Sequence, residues 1–280
     1  MNNPIRLIVA DIDGTLVGED RQISPRVRQA INAARDLGVQ VVLCTGRSML
    51  TARQYIDMLE LPGYHIVDSG ATVVDPATGT TLYQDLIPQE LSLRMVAAAR
   101  QAELHLEAYA ATMYFMEQED QNSYLHGLVM QRHPPVIMAL DEAVTRHNIA
   151  KLEIITSTDE ERARLRMLEE HFADHFTFAW SAAPGIPADF VNIMTKGVSK
   201  GKAVTVLAEH LGIPISQVLG VGDGPNDEPL LATVGVPVAM GDAPDTLKRL
   251  AAWVTASVSE DGLAQAIDRY VLSNGVTHAV

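Results

Sequence analysis

Short apolar runs alternate with stretches of helical spacing at both ends of this chain, and the middle breaks the rhythm. The run Arg6-Leu7-Ile8-Val9-Ala10 is too brief for a helix and reads as a buried parallel strand. Ser24-Pro25 then gives an N-cap with proline at the first helical position. Val27, Ala30, Ile31, Ala34 and Leu37 follow at helical spacing, and Gly38 closes the helix. A second apolar strand spans 39–44, a helix runs through Ala52 and Met58, and a third strand spans 64–67. This order is the start of a doubly wound parallel sheet.

Residues 72–75 and 80–83 flank a Pro-Ala-Thr-Gly turn and predict a hairpin. From 86 to 186 helices are expected near 88–103, 120–131 and 158–172, the last opened by the capping box Thr158-x-x-Glu161. Strands are expected at 104–109, 112–116, 152–156 and 176–180. The stretch reads as an inserted second domain, a sheet with helices on one face. Tyr109, Tyr114, Phe115, Tyr124, Phe178 and Trp180 fall here; core packing is their default role, with a few free to line a pocket. The βα alternation is expected to resume after Pro187 with a strand over 189–194 and a helix from Lys200 to Leu211. It continues with a strand after Gln217, another over 236–240, a helix from 244, a strand at Trp253-Val254 and a helix over 262–272.

Composition narrows the class. At 280 residues and 47% hydrophobic content the chain holds a full core and room for two domains, with no apolar run long enough to span a membrane. The start shows no signal-peptide pattern, and one cysteine, Cys44, suits a reducing cytoplasm; within an apolar run it reads as a small core residue. A net charge of −14 disfavours nucleic acid and anionic membrane as partners, and any anion site must then be built from local cations. The nine histidines have no zinc spacing. The sequence carries no signal for an oligomeric state.

Four strand ends carry the chemistry. The first ends in Asp11-Ile12-Asp13-Gly14-Thr15, and the carboxyl ends of parallel strands are where ligands of open α/β sheets bind. Alone this is also an ordinary acidic turn, but two close carboxylates repel unless a cation or proton intervenes, and a hard divalent cation such as Mg2+ satisfies both. One Asp can then serve as nucleophile and the other as acid and base. The second strand ends in Thr45-Gly46-Arg47. Lys200 follows the N-cap Ser199, an unfavourable place for a cation unless an anion is shared with the helix end; a solvated lysine is the plainer alternative. The run Val218-Leu219-Gly220-Val221-Gly222 ends in Asp223-Gly224-Pro225-Asn226-Asp227.

Together and in this order, Asp-x-Asp-Gly-Thr, Thr-Gly-Arg, the lysine of Gly-Val-Ser-Lys-Gly and Gly-Asp-x-x-Asn-Asp resemble the haloacid dehalogenase-like hydrolase superfamily, mostly phosphatases. The resemblance covers nearly the whole chain. It implies a discontinuous core over 1–85 and 187–280, and a Cof-type α/β cap over 86–186 that selects small phosphomonoesters such as sugar phosphates. It further implies that Asp11 is the nucleophile that becomes an aspartyl phosphate and that Asp13 is the general acid and base. By the same resemblance Mg2+ is held by Asp11, the Asp13 carbonyl, Asp223, Gly224 and Asp227, and phosphoryl oxygens by Ile12, Thr45, Gly46, Arg47, Lys200 and Asn226. Two departures stand out: Ser69 where the family often has asparagine, which weakens the case for a substrate contact there, and Pro225 in the metal loop. Transfer of the phosphoryl group, as in a phosphomutase, and non-catalytic binding of a phosphate ligand are the alternatives. No motif in the insert names a substrate.

Overall fold

The computed structural model describes residues 4–130, 133–183 and 185–273. In chain order the elements are β1 (Leu7–Ala10), α1 (Pro25–Asp36), β2 (Gln40–Leu43), α2 (Met49–Met58), β3 (His65–Val67), β4 (Thr72–Asp75) and β5 (Thr80–Gln84). Then come α3 (Gln89–Gln101), β6 (His105–Ala110), β7 (Met113–Met116), α4 (Gln121–Met130), β8 (Val136–Ile137), α5 (Leu140–Arg146), β9 (Lys151–Thr156), α6 (Asp159–Phe172), β10 (Phe176–Ala182) and β11 (Asp189–Thr195). The chain closes with α7 (Lys200–His210), β12 (Val218–Gly222), α8 (Glu228–Thr233), β13 (Val236–Ala239), α9 (Asp245–Lys248), β14 (Trp253–Val254) and α10 (Gly262–Ile267).

The first sheet has the order β14-β13-β12-β1-β2, and every pair in it is parallel. Its central strands β1 and β12 are buried on both faces because alternate residues feed two cores. Ile8 and Ala10 pack with Ile31 and Ile56 on one side; Leu7 and Val9 pack with Val204, Leu207 and Leu230 on the other. Cys44 is a buried free thiol in the second of these cores, as expected. From β1 the chain winds one way to β2, and later winds the other way from β12 to β14. The switch point therefore lies between β1 and β12, where the strand ends carrying Asp11 and Asp223 are neighbours. Strand β3 touches this sheet through the parallel bridge Cys44–Ile66 and pairs antiparallel with β4, which forms the expected hairpin with β5.

The second sheet has the order β10-β11-β9-β6-β7-β8 and is antiparallel except for the β7–β8 pair. Two expectations need correction here. The strand expected over 189–194 in the parallel core is β11, which pairs with β9 and β10, so the chain leaves the second sheet only after Thr195 rather than at 187. A buried apolar strand reads the same whether its neighbours are parallel or antiparallel, which is why the boundary was misplaced. The helices also do not all share one face. Met95 of α3, Val144 of α5 and Leu165 of α6 fill the core on one side, but Leu125 and Val129 of α4 pack with Ile155 and Phe190 on the other. The short β8 and α5 were not anticipated. The capping box Thr158/Glu161 forms as expected. Residue 131 of the helix expected near 120–131, and residues 1–3 and 274–280 of the expected core, lie outside the described residues. Among the described residues no helix is long and apolar enough to cross a membrane.

Strict alternation gives the second sheet a polar inner face. His105, Glu107 and Tyr109 on β6, Lys151 and Glu153 on β9, and Asn192 on β11 are all buried, while Leu106, Ala108, Leu152, Ile154, Val191 and Ile193 between them enter the apolar core. The carboxylate of Glu107 is shared by His105 Nε2 (3.1 Å), His126 Nδ1 (2.8 Å) and the Tyr109 hydroxyl (2.8 Å), and His105 Nδ1 meets Asp120 at 2.9 Å. Burial opposes charge on His105, but the hydrogen bonds and charges of Asp120 and Glu107 outweigh it and raise its pKa to about 9. A histidine raised in the folded state stabilises fully below its unfolded value of about 6.5 and loses that contribution as pH climbs through 9. We therefore expect the Tm deficit of His105→Gln to be several degrees larger at pH 6 than at pH 9.5. Equal deficits at both pH values would show that the ring acts by packing alone.

Candidate active site

Asp11 and Asp13 sit where β1 stops and the chain turns over Gly14. The turn brings the backbone so close to Asp223 that a Cβ at Gly14, already at φ +80°, would lie 2.1 Å from Asp223 Oδ2. Thr15 Oγ1 donates to Asp223 Oδ1 at 2.8 Å, which fixes that carboxylate beside the β1 end. Gly222 does the same service on the neighbouring strand, since a Cβ there would meet Asp227 Cγ at 2.5 Å. The two strand ends are thus packed carboxylate against backbone, and only glycine fits between.

Lys200 Nζ, fully buried, lies 2.9 Å from Asp11 Oδ1 and 2.6 Å from Asp227 Oδ1. Its helix is capped by Ser199, whose hydroxyl accepts from the Lys202 amide. Lysine at this helix start is no solvated residue; it is the cation that the buried carboxylates require. Burial works against its charge, but Asp11 and Asp227 hold the ammonium protonated far above its ordinary range. One cation does not balance the cluster. Burial, aided by Asp227 and Asp13 and opposed by Lys200, pushes Asp11 up to about 7, and Asp223 is raised well above the ordinary carboxyl range by burial, Asp11 and Asp227. Asp11, Asp223 and Asp227 each place a potential ligand oxygen within 4.8 Å of the others. A divalent cation fits this donor set: hard oxygen ligands, excess negative charge and a shielded position.

Asp227 is the most occupied of the three. Its Oδ1 accepts from Lys200, and its Oδ2 accepts from the amides of Asp223 and Gly224, both at 3.0 Å. Arg47 also differs from expectation. It was read as a phosphoryl ligand, yet its Nε and one Nη bind Asp13 in a bidentate pair at 2.7 and 2.6 Å, with the guanidinium 5.3 Å from the Tyr55 ring centre. The remaining guanidinium nitrogen, Arg47 Nη1, is buried with no hydrogen-bond partner among the described residues. Thr45 Oγ1 accepts from the Arg47 amide at 3.1 Å, closing the loop. Asp68 and Ser69 brace that loop through their amides to the Arg47 and Thr45 carbonyls, and both adopt left-handed backbone, a strained arrangement for such residues.

A cavity of about 240 Å3 joins these parts. Asp11, Asp13, Thr45, Gly46, Arg47, Asp223, Gly224 and Asn226 border it, and Lys200 and Asp227 lie beneath Asp11. Ile12 is the exception, its side chain being buried in the core. The opposite wall comes from the second sheet and α4, including Tyr109, His126, Lys151, Glu153, Phe190 and Asn192. Of these only Tyr109 was singled out from sequence. The signal was present as polar residues at every second position of otherwise apolar strands. Trp180 is not part of the wall: it stacks under Arg166 and donates to Glu169, both on α6. Tyr114 supports Tyr109 from behind, with ring centres 5.3 Å apart.

The sequence model of a family described as haloacid dehalogenase-like hydrolase matches residues 8–267. A protein of Streptococcus pyogenes serotype M6 is 31% identical over 272 residues, covering 96% of this chain and 99% of its own. A Bacillus subtilis protein named as a 5-amino-6-(5-phospho-D-ribitylamino)uracil phosphatase is 28% identical, covering 96% of each chain. An HMP-PP phosphatase of Yersinia pseudotuberculosis is 27% identical over 87% of this chain and 86% of its own. A haloacid dehalogenase-like hydrolase of Bacillus subtilis superposes with a TM-score of 0.84 at 22% identity, covering 95% of this chain and all of that one.

Proposed function

We propose that this phosphatase, which belongs to the haloacid dehalogenase-like hydrolase family, acts on small phosphate esters through a phosphoryl group carried on Asp11 with Mg2+ as cofactor. The observation that carries this reading is the placement of Asp11. Its carboxylate is at the switch point of the parallel sheet, paired with Lys200 and bordering the cavity, with Asp13 two residues on.

In the first step an Asp11 oxygen attacks phosphorus, the ester P–O bond breaks, and Asp13 gives its proton to the departing alcohol oxygen. In the second, the Asp13 carboxylate takes a proton from water as its oxygen attacks phosphorus, which releases inorganic phosphate and regenerates Asp11. The bidentate pair with Arg47 fixes the plane of Asp13. In this reading Thr45, the Gly46 amide, Asn226 and Lys200 hold phosphoryl oxygens, and Ile12 contributes by its backbone alone. Asp11, Asp223 and the Asp13 carbonyl would hold Mg2+, beside Gly224, while Asp227 keeps Lys200 and the Asp223 turn in place. When bound, the cation offsets negative charge on the phosphoryl oxygens. The second sheet and α4 serve as a cap that receives the alcohol.

The test is release of phosphate from p-nitrophenyl phosphate and a panel of small phosphomonoesters. We expect turnover with Mg2+ and a loss of at least about 100-fold in excess chelator, restored by adding the cation back. Undiminished release in chelator would contradict the role given to the carboxylate cluster.

A further inference from the structure

The wall facing the phosphoryl site has a chemistry of its own. Asn192 is 1% exposed and borders the cavity, yet its Oδ1 has no partner among the described residues. A buried acceptor left unpaired costs about 1–3 kcal/mol, so a position like this points to a ligand. Its amide nitrogen hangs over the phosphate loop, 3.1 Å from where a Cβ on Gly46 would stand. Beside it, Lys151 Nζ pairs with Glu153 Oε2 at 2.8 Å and donates to the Gly46 carbonyl at 3.0 Å. The ammonium also lies 4.3 Å from the centre of the Tyr109 ring. Both residues of the pair are almost wholly buried and border the same cavity.

Atoms one or two bonds beyond the ester oxygen meet this wall. A second anionic group there faces Glu153 and Asp13, and an ammonium group faces Lys151 and Arg47. A hydroxyl group can donate to the Asn192 or Glu153 oxygen and accept from Lys151 or the Asn192 amide, so a neutral hydroxyl meets both the donor and the acceptor ends of this wall without adding a charge. Val129, Met130 and Phe190 offer the C–H face of such a group an apolar surface. Resting on the phosphatase reading above, we infer that Asn192 and the Lys151–Glu153 pair form a hydroxyl-reading subsite. It selects phosphomonoesters whose alcohol is uncharged and carries free hydroxyls next to the esterified carbon.

The test compares matched esters on the full chain with Mg2+: glycerol 3-phosphate against n-propyl phosphate, and ribitol 5-phosphate against n-pentyl phosphate. We expect the hydroxylated member of each pair to have kcat/KM about 10- to 100-fold higher. The ratio should fall at least 5-fold in Asn192→Leu and in Glu153→Gln; comparing the ratio between variant and wild type cancels the intrinsic reactivity of each ester. The wild-type ratios test the inference even if a variant fails to fold. Ratios near one in the wild type, with phosphate still released, would overturn the subsite and leave the phosphatase reading standing, as would ratios unchanged in both variants. Turnover of 3-phosphoglycerate equal to that of glycerol 3-phosphate would overturn the restriction to uncharged alcohols. No release from any ester, p-nitrophenyl phosphate included, would overturn both readings.

Discussion

Asp11→Asn is expected to lower kcat by roughly four orders of magnitude or more while leaving the protein folded. Asparagine keeps the shape and the contact with Lys200 but cannot supply the attacking oxygen, and loss of a nucleophile removes the covalent route altogether. Stability should not suffer. The Asp11 carboxyl is pushed up to about 7 by burial and by its acidic neighbours, so a neutral amide relieves repulsion in the metal-free protein. Phosphate release and a thermal melt on the same preparation check both halves. A variant with a tenth of wild-type activity would contradict the assignment, and one that does not fold would contradict the account of the charge cluster.

The second large effect is expected from Lys200→Met. Methionine keeps the length but removes the one ammonium between two buried carboxylates, and leaving a buried charge without its partner costs about 3–5 kcal/mol. For a chain of this size that corresponds to a fall in Tm on the order of 10 °C. The sign with pH follows from Asp11. Lys200 lowers its pKa, so the variant holds that carboxyl even further above the unfolded value of 3.8. A carboxyl raised in the folded state stabilises below its unfolded value and loses that contribution as pH rises through the folded one. The deficit should therefore be larger at pH 8 than at pH 5, and Mg2+ should recover part of it. Activity should fall by about 100-fold or more, through lost stabilisation of the phosphoryl oxygens. A melt at pH 8 indistinguishable from wild type would show that the carboxylates do not depend on this lysine.

What could be read from sequence differed sharply between the two sheets. Strands β1 and β12 announce themselves because a short apolar run halts at acid and glycine, and the parallel topology then forces Asp11 and Asp223 together. The placement of Lys200 after an N-cap was legible for a similar reason: a cation at a helix start needs an anion. The wall of the cavity was not legible as a site. Lys151 finds its partner at Gly46, 105 residues away, and His105, Glu107 and His126 satisfy one another only once β6 and α4 are packed. Period-2 polarity marks these positions as facing something polar, but not what. The pairing of Arg47 with Asp13 was not legible, because a guanidinium at a strand end can serve a phosphate, a neighbouring acid or both, and only the folded loop held by Asp68 and Ser69 brings it against Asp13.

The covalent step is the centre of this account, and trapping it is the most direct test. Enzyme in excess over an activated phosphomonoester with Mg2+ is quenched in acid after a few milliseconds, reduced with borohydride and digested for peptide mass spectrometry. An acyl phosphate on Asp11 is reduced to homoserine, so the account predicts that the peptide containing residue 11 carries that change and that Asp11→Asn does not. A full burst of alcohol with the peptide unmodified, or the modification found at Asp13 or Asp223 instead, would contradict it.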